Sequence, residues 1–559
     1  KVATLTLAEA WWSDQMYNNA VVVSYPTTNS IFIKQPDGSY VPPVNCPKAL
    51  TKVSGLYRLT TPQGVQTNFN ASGQISSVVF PYGVTVSYTY TGGLLTSISN
   101  GLGRTLTLSY TSGKLSSVSD GTGRSISFTV DGSGNLTQFT DANGKNCVYS
   151  YVQPGLMTSY FNPAFPATAF ITNTFDSLGR VKTQANARNQ TTNFYLAGSR
   201  SHTVDPVGNK LTWYLNRFGS TLKQVDGLGN VTKTVYDGLN RPVEVIQPEG
   251  NKVVTTFDKN DNPLTITLVA KAGSGLSNIV RSFTYHTTWA KPLTAVDGRG
   301  NTTNFSYDAA NGNLLTVQRP IIGGFTPTIT LTYNGRGQML TKTDETGIVT
   351  KWTYDATTEK LLSVVADFGV GRLNLTRSFG YDAVGNLNSV TDPRSNTSTF
   401  QFDPLRRMTQ KTESAPFSYV SKFTFDDNGN LTKQERQTGG TPAWQTYSWT
   451  YSAGNERLTA VDPASKTTTW TFDGKDRVQT MTDAQSSLWQ YSYDANDRIS
   501  TVTDPTSTVT ETRTYSANGR LASVKDARNN VTQYTFDGFD RPNKVIYQDA
   551  TFEQNSSYD

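Results

Sequence analysis

The chain has 559 residues, of which 36% are hydrophobic, 11% aromatic and only 16% charged. The net charge of +6 is small for this length, and Lys and Arg are scattered through turn-like segments. That excludes the concentrated basic face of a nucleic-acid binder. No apolar run reaches the roughly 18 residues of a membrane helix, so no membrane span is expected. Abundant Gly, Thr, Ser, Asn and Tyr, with five Met and no long helical period, predict an all-β protein.

Residues 1–68 show no clean repeat. They hold Trp11-Trp12, a strand-like Ile31-Phe32-Ile33 and a Pro-rich stretch at Pro42-Pro43-Val44-Asn45-Cys46-Pro47. This region is expected to be a lead-in or cap, because the terminal unit of a sheet must cover an exposed edge.

From residue 69 to 559 the same phrase restarts every twenty-odd residues: an aromatic, Asp, two variable residues, then Gly or Asn. Phe175-Asp176-Ser177-Leu178-Gly179, Tyr381-Asp382-Ala383-Val384-Gly385 and Phe425-Asp426-Asp427-Asn428-Gly429 are clean copies. Twenty-three starts can be placed between Phe69 and Tyr558, and such a period means one supersecondary unit stacked many times. Four intervals, ending at Tyr285, Tyr333, Tyr381 and Tyr451, stretch to 26–28 residues and are expected to form protruding loops.

Each unit reads as turn, strand, turn, strand. In Asp-x-x-Gly the carboxylate accepts from the backbone two residues on, and Gly supplies the positive φ that closes the hairpin. Asp176, Gly179, Asp382, Gly385, Asp426 and Gly429 are therefore structural turn residues. Where Gly is missing its place goes to Asn240, Asp476, Asp497 or Asp540, types that tolerate the left-handed region. A second turn follows in each unit, as in Asp226-Gly227-Leu228-Gly229.

The second strand alternates, as in Phe423-x-Phe425 and Tyr491-x-Tyr493, placing rings on one face. Tyr307, Tyr354, Tyr381, Phe402, Phe425, Tyr451, Phe472 and Tyr493 are expected to form an aromatic ladder in which rings of neighbouring hairpins stack side by side. More than forty strands at about 4.8 Å give a ribbon on the order of 200 Å long. Right-handed twist prevents a sheet of that length from staying flat, and a wide closed sheet encloses space.

The phrase strongly resembles the YD repeats of the RHS family, which includes bacterial polymorphic toxins, toxin-complex cocoon proteins and teneurins. The resemblance covers about residues 69–559. It implies tandem antiparallel β-hairpins spiralling into a hollow shell, in the bacterial members around a C-terminal effector. It also implies a secreted or cell-surface setting and a bacterial source. The conserved segment and cleavage site that precede the effector in RHS toxins are not matched; Asp205-Pro206-Val207-Gly208 has the letters but sits mid-chain as an ordinary second turn.

No catalytic, cofactor-binding or metal site is expected. His202 and His286 are the two histidines and lie far apart, and no nucleophile elbow, phosphate loop or zinc-protease helix occurs. Asp258-Lys259-Asn260-Asp261-Asn262 lacks the Gly and the terminal Glu of a calcium loop. Cys46 and Cys147 could pair as a disulfide or stand as unrelated thiols. The start at Lys1 and the stop inside another unit at Tyr558-Asp559 are expected of a partial piece of a longer protein. The functional expectation is a non-enzymatic shell that protects or displays an enclosed effector or a neighbouring part of a longer polypeptide. A glycan-binding module acting on cell-surface glycans through aromatic faces is the alternative, and a filament or surface-layer subunit is another.

Overall fold

The computed structural model describes residues 19–25, 29–43, 46–439 and 443–554; Trp11-Trp12, Val44-Asn45 and the last repeat start lie outside them. Among the described residues every regular element is a strand. A small sheet of Ala20–Ser24, Asn29–Lys34 and Tyr40–Val41 precedes one antiparallel meander of 47 strands, from Ala49–Val53 to Phe552–Gln554. Each strand of that ribbon pairs with its neighbours in sequence.

The ribbon thus begins ahead of Phe69. Ala49–Val53 pairs with Leu56–Thr60, and that strand pairs with Gln66–Phe69. Ladder pairing needs only extended backbone, so it extends past the point where the repeat signature fades. The small sheet packs here: Val23, Phe32, Leu50 and Leu59 form a buried cluster, with Cys46 and Phe69 against it.

The Asp-x-x-Gly turns share one geometry. The Gly385 N–H donates to the Asp382 carbonyl at 3.0 Å, and Asn386 donates to the Asp382 carboxylate through its backbone N–H and its Nδ2, both at 2.8 Å. Gly385 has φ 87°, and Asn240, Asp476, Asp497 and Asp540 take φ of 59–66° at the same position. Around Asp176, the Arg180 side chain and then its amide hold the carboxyl below the usual range.

A β-bulge interrupts pairing where the repeat aromatic meets its turn, between Thr353 and Tyr354, Gly380 and Tyr381, and Thr424 and Phe425. Bulges add local right-handed twist and bend the bulged strand, so one bulge per unit curls the ribbon at regular intervals.

The curl produces a hollow wall. The accessible surface is 31,691 Å², against about 20,000 Å² for a compact monomer of this mass. Only five hydrophobic residues are buried among those described, four of them in the N-terminal cluster and the fifth Trp289. A solid domain of this size would bury far more; a wall one sheet thick cannot.

Along the expected ladder the contacts observed are of ring with cation. Equivalent rings lie two strands apart, about 10 Å, beyond the 4.5–7 Å range of ring pairs. Cations fill the gap instead. Lys360 lies over Tyr381 at 4.9 Å, Arg407 over Phe425 at 4.9 Å and Arg477 over Tyr493 at 4.4 Å. Each comes from the preceding turn. The tyrosines also reach back across the sheet: the hydroxyls of Tyr307, Tyr354, Tyr381, Tyr451 and Tyr493 donate to the carbonyls of Pro292, Met339, Leu361, Leu431 and Val478 at 2.7–3.0 Å. The opposite face carries cross-strand hydroxyl pairs, such as Thr332 with Thr341 and Thr471 with Thr480, both at 2.6 Å.

Cys46 and Cys147 are free thiols, so the disulfide is not formed. Cys46 sits at the N-terminal cluster, whereas the Cys147 Sγ lies 3.6 Å from the Tyr160 hydroxyl in the ribbon.

Candidate functional site: the seam between windings

In a meander, alternate turns fall on opposite edges of the ribbon. The Asp-x-x-Gly turns after each repeat aromatic occupy one edge, and the second turns occupy the other. Contacts between residues 260 to 290 positions apart show that the ribbon winds back onto itself, second-turn edge against Asp-x-x-Gly edge. Gly227 donates to Asn496 Oδ1 at 3.1 Å, and Glu249 donates from its backbone to Asn518 Oδ1 at 3.0 Å. The 23 strands from Val231–Tyr236 through Leu488–Tyr493 span one such winding. At about 4.8 Å per strand that is a circumference of roughly 110 Å, which strand tilt enlarges.

The seam opens at Trp289, which is 8% exposed. Its indole packs so closely on Gly64 and Gly312 that a Cβ on either would come within 2.7 Å of the ring. Farther along, Gly337 faces the Tyr82 ring and Gly385 faces Arg104. Glycine is required at Gly385 twice over, by its positive φ and by the guanidinium beside it. Arg104 donates to the Val384 carbonyl at 2.8 Å.

Charge carries the rest. Arg188 reaches over the seam to the carbonyls of Phe472 and Asp473 and to the Asp476 carboxylate. Lys475 pairs back with Asp205 at 2.8 Å. At the far end Lys271 joins Asp540 at 2.6 Å and also pairs with Glu249, while Asn251 and Asn518 each donate to Asp540 at 2.8 Å. Burial alone would raise the Asp540 and Glu249 carboxyls, but Lys271 and the surrounding donors outweigh it and hold both below the usual range. Lys271 is raised in turn by the two carboxylates, against its own desolvation.

The other edge of the second winding holds three of the four expected long loops. Those before Tyr333 and Tyr381 expose Ile321, Ile322, Phe325, Val370 and Leu373, while that before Tyr451 is described only in part. The loop before Tyr285 lies instead at the seam, where the Lys271 N–H donates to the Gly538 carbonyl at 2.8 Å.

Both histidines have local structural roles. His202 stacks on Tyr195 at 4.4 Å, and His286 Nδ1 accepts the N–H groups of Thr288 and Trp289. Asp258–Asn262 closes an ordinary turn with Asp261 at φ 65°. No group of three or more His, Cys, Asp or Glu able to hold a metal occurs among the described residues. Sequence reasoning did not find the seam residues Arg188, Lys271 and Trp289, and read Asp540 only as a turn residue, because their seam partners lie far away in the chain. One signal was available: Glu456 stands where neighbouring units carry Arg or Asn.

A single antiparallel ribbon of Asp-turn hairpins wound into a hollow wall defines a β-shell protein. The RHS-repeat family model matches residues 381–416, 472–509 and 515–551. The chain is 25% identical over 195 residues to toxin subunit YenC2 of Yersinia entomophaga, covering 33% of this chain and 19% of that one. It is 32% identical over 107 residues to toxin subunit YenC1 of the same organism, covering 18% and 11%. In fold it resembles the TcdB2–TccC3 crystal structure, with TM-score 0.57 at 12% identity over 95% of this chain and 35% of that one. The TcdB2–TccC3–Cdc42 structure gives 0.56 at 13% identity, covering 96% and 32%. This chain therefore spans about a third or less of the length of these relatives. Its repeats match the RHS-repeat model over those three segments, and it is similar to the two toxin subunits.

Proposed function

We propose that the chain forms the wall of a container: a non-enzymatic structural shell that encloses and protects a partner. The observation that carries this is the wall itself, one sheet thick, wound back on itself, and exposing about one and a half times the surface of a solid protein of its mass. The likeness to toxin subunits supports an effector polypeptide as the enclosed partner, and an exported or cell-surface setting. The N-terminal sheet, packed against the first ribbon strands, serves as the cap of that edge. The glycan-binding alternative has less support, since the repeat rings are half-buried and their hydroxyls are engaged by backbone carbonyls.

The test is to fuse an unstructured, protease-sensitive reporter segment to the C-terminus and digest the intact protein. Survival of the reporter under conditions that destroy it when free supports a container. Digestion at the rate of the free reporter removes that support.

A further inference from the structure

Several seam arginines are paired with carboxylates: Arg124 with Asp120, Arg407 with Asp403 and Arg188 with Asp476. Three cations around the Val384-Gly385 turn depart from this. Arg104 comes from the first winding, Lys360 and Arg406 from the second, and none of them makes an ion pair among the described residues. Arg104 donates to the Val384 carbonyl at 2.8 Å and Arg406 to the same oxygen at 3.2 Å. A Cβ on Gly385 would meet the Arg104 guanidinium and, at 3.1 Å, the Lys360 Nζ. Each guanidinium has five N–H donors, and this carbonyl occupies one on each.

The carboxylates nearby are held by their own turns. Asp382 accepts from Asn386, Asp355 from Thr357 and Thr358, and Asp403 binds Arg407. The charges acting on Lys360 are Arg104, Arg406, Asp382 and Asp355; burial first, and then Arg104, lowers it below the usual lysine range. Three cations against two carboxylates leave one positive charge in excess, the complement of a monoanion.

Arg406 also lines a seam cavity of about 290 Å³. Leu106, Val118 and Ile126 of the first winding and Leu405 of the second form its apolar wall. Val118 pairs with Ile126 and with Leu108, two residues beyond Leu106, so these side chains share one face of the sheet. Asp120, on the same wall, is neutralised by Arg124. Such a volume takes an apolar body of roughly ten heavy atoms at about 30 Å³ each. An apolar cavity with an exposed guanidinium on its wall is complementary to a carboxylate carried on an apolar group, which guanidinium binds through two parallel hydrogen bonds.

We propose that this cavity is a binding site for a small monocarboxylate with an aromatic or branched aliphatic body. Arg406 holds the carboxylate, Arg104 and Lys360 add their positive field, and the body lies against Leu106, Val118, Ile126 and Leu405. The ligand touches both windings and so ties the seam at a point where no protein carboxylate does. The site belongs to the wall itself and is independent of any enclosed partner.

Isothermal titration of the whole chain with phenylbutyrate tests this. One saturable site per chain is expected, with phenylbutanol, which lacks the charge, and butyrate, which lacks the ring, each bound about tenfold more weakly or worse. Arg406→Gln is expected to weaken phenylbutyrate by about tenfold, while Arg104 keeps the Val384 carbonyl occupied. Leu106→Asn, at a side chain 42% exposed, is expected to weaken it as well. Unfolding midpoints without ligand establish that each variant is folded. Arg319→Gln, at an exposed arginine away from the cavity, is expected to bind as the unmodified chain does. No saturable binding up to about 10 mM overturns the proposal. So does equal binding of phenylbutanol, undiminished binding in folded Arg406→Gln, or an equal loss in Arg319→Gln.

Discussion

Lys271 and Asp540 meet at 2.6 Å although nearly half the chain separates them, and the Asp540 side chain at this contact is 7% exposed. The pair closes the far end of the seam, with Glu249, Asn251 and Asn518 completing the network. Replacing Lys271 by Met leaves two largely buried carboxylates without their cation. The expected loss is about 2–3 kcal/mol of local stability, seen as faster hydrogen exchange at residues 249–251 and 516–520 with no change at the Trp289 end. Uniform loss of protection along the whole wall would show instead that the two ends of the seam are one cooperative unit.

Acid should open this end of the seam. Asp540 and Glu249 have carboxyls held below their ordinary values, so the stability they contribute is present above the unfolded range of about 4 and is lost as pH falls through the lowered folded values. Exchange at residues 249–251 and 516–520 is expected to accelerate below about pH 4, ahead of the strands far from any seam carboxylate. Simultaneous loss everywhere would point to general charge repulsion.

Two glycines with nearly equal φ separate turn strain from seam contact. Gly385 (φ 87°) faces Arg104, whereas a Cβ on Gly134 (φ 91°) meets nothing within 4 Å. Both Gly→Ala substitutions are expected to cost about 1 kcal/mol through the left-handed turn. Gly385→Ala is expected to cost more, because Arg104 must move and release the Val384 carbonyl. Equal losses in thermal unfolding would argue that Arg104 contributes nothing to the seam.

The hairpins themselves were legible in the sequence because each is a local event. Asp382, Gly385 and Asn386 close a turn within five residues, and the alternation of Thr397 to Phe402 sets which face is half-buried. The aromatic spacing left one point open. It placed Tyr381, Phe402 and Phe425 on one face but could not show that the intervening gap is wider than a ring pair, so the role of Arg407 and Lys360 was hidden. The seam was illegible for a different reason. Pairing of Arg188 with Asp476 depends on how many strands complete a winding, and that follows from twist accumulated over 23 strands, alternate ones bulged, which no local pattern encodes.

The tyrosine hydroxyls give a graded test of the wall within one winding. Tyr493→Phe removes the donor to the Val478 carbonyl at 2.7 Å while keeping the ring under Arg477. A loss of about 1 kcal/mol is expected, whereas Tyr493→Ala, which also removes the ring and its cation contact, is expected to cost about 3 kcal/mol or more. Denaturant midpoints of the two variants measure the difference. Similar losses would place the stabilisation in the hydroxyl and not in the ring.

Single-particle electron microscopy of the purified chain tests the central claim most directly. A wall one strand-layer thick, wound back upon itself, predicts ring-shaped end views with an empty centre, the backbone ring being at least roughly 35 Å across, and side views in which two stacked layers meet along a continuous seam. Filled, solid averages, or an extended ribbon without contact between residues near 249 and 518, would contradict it.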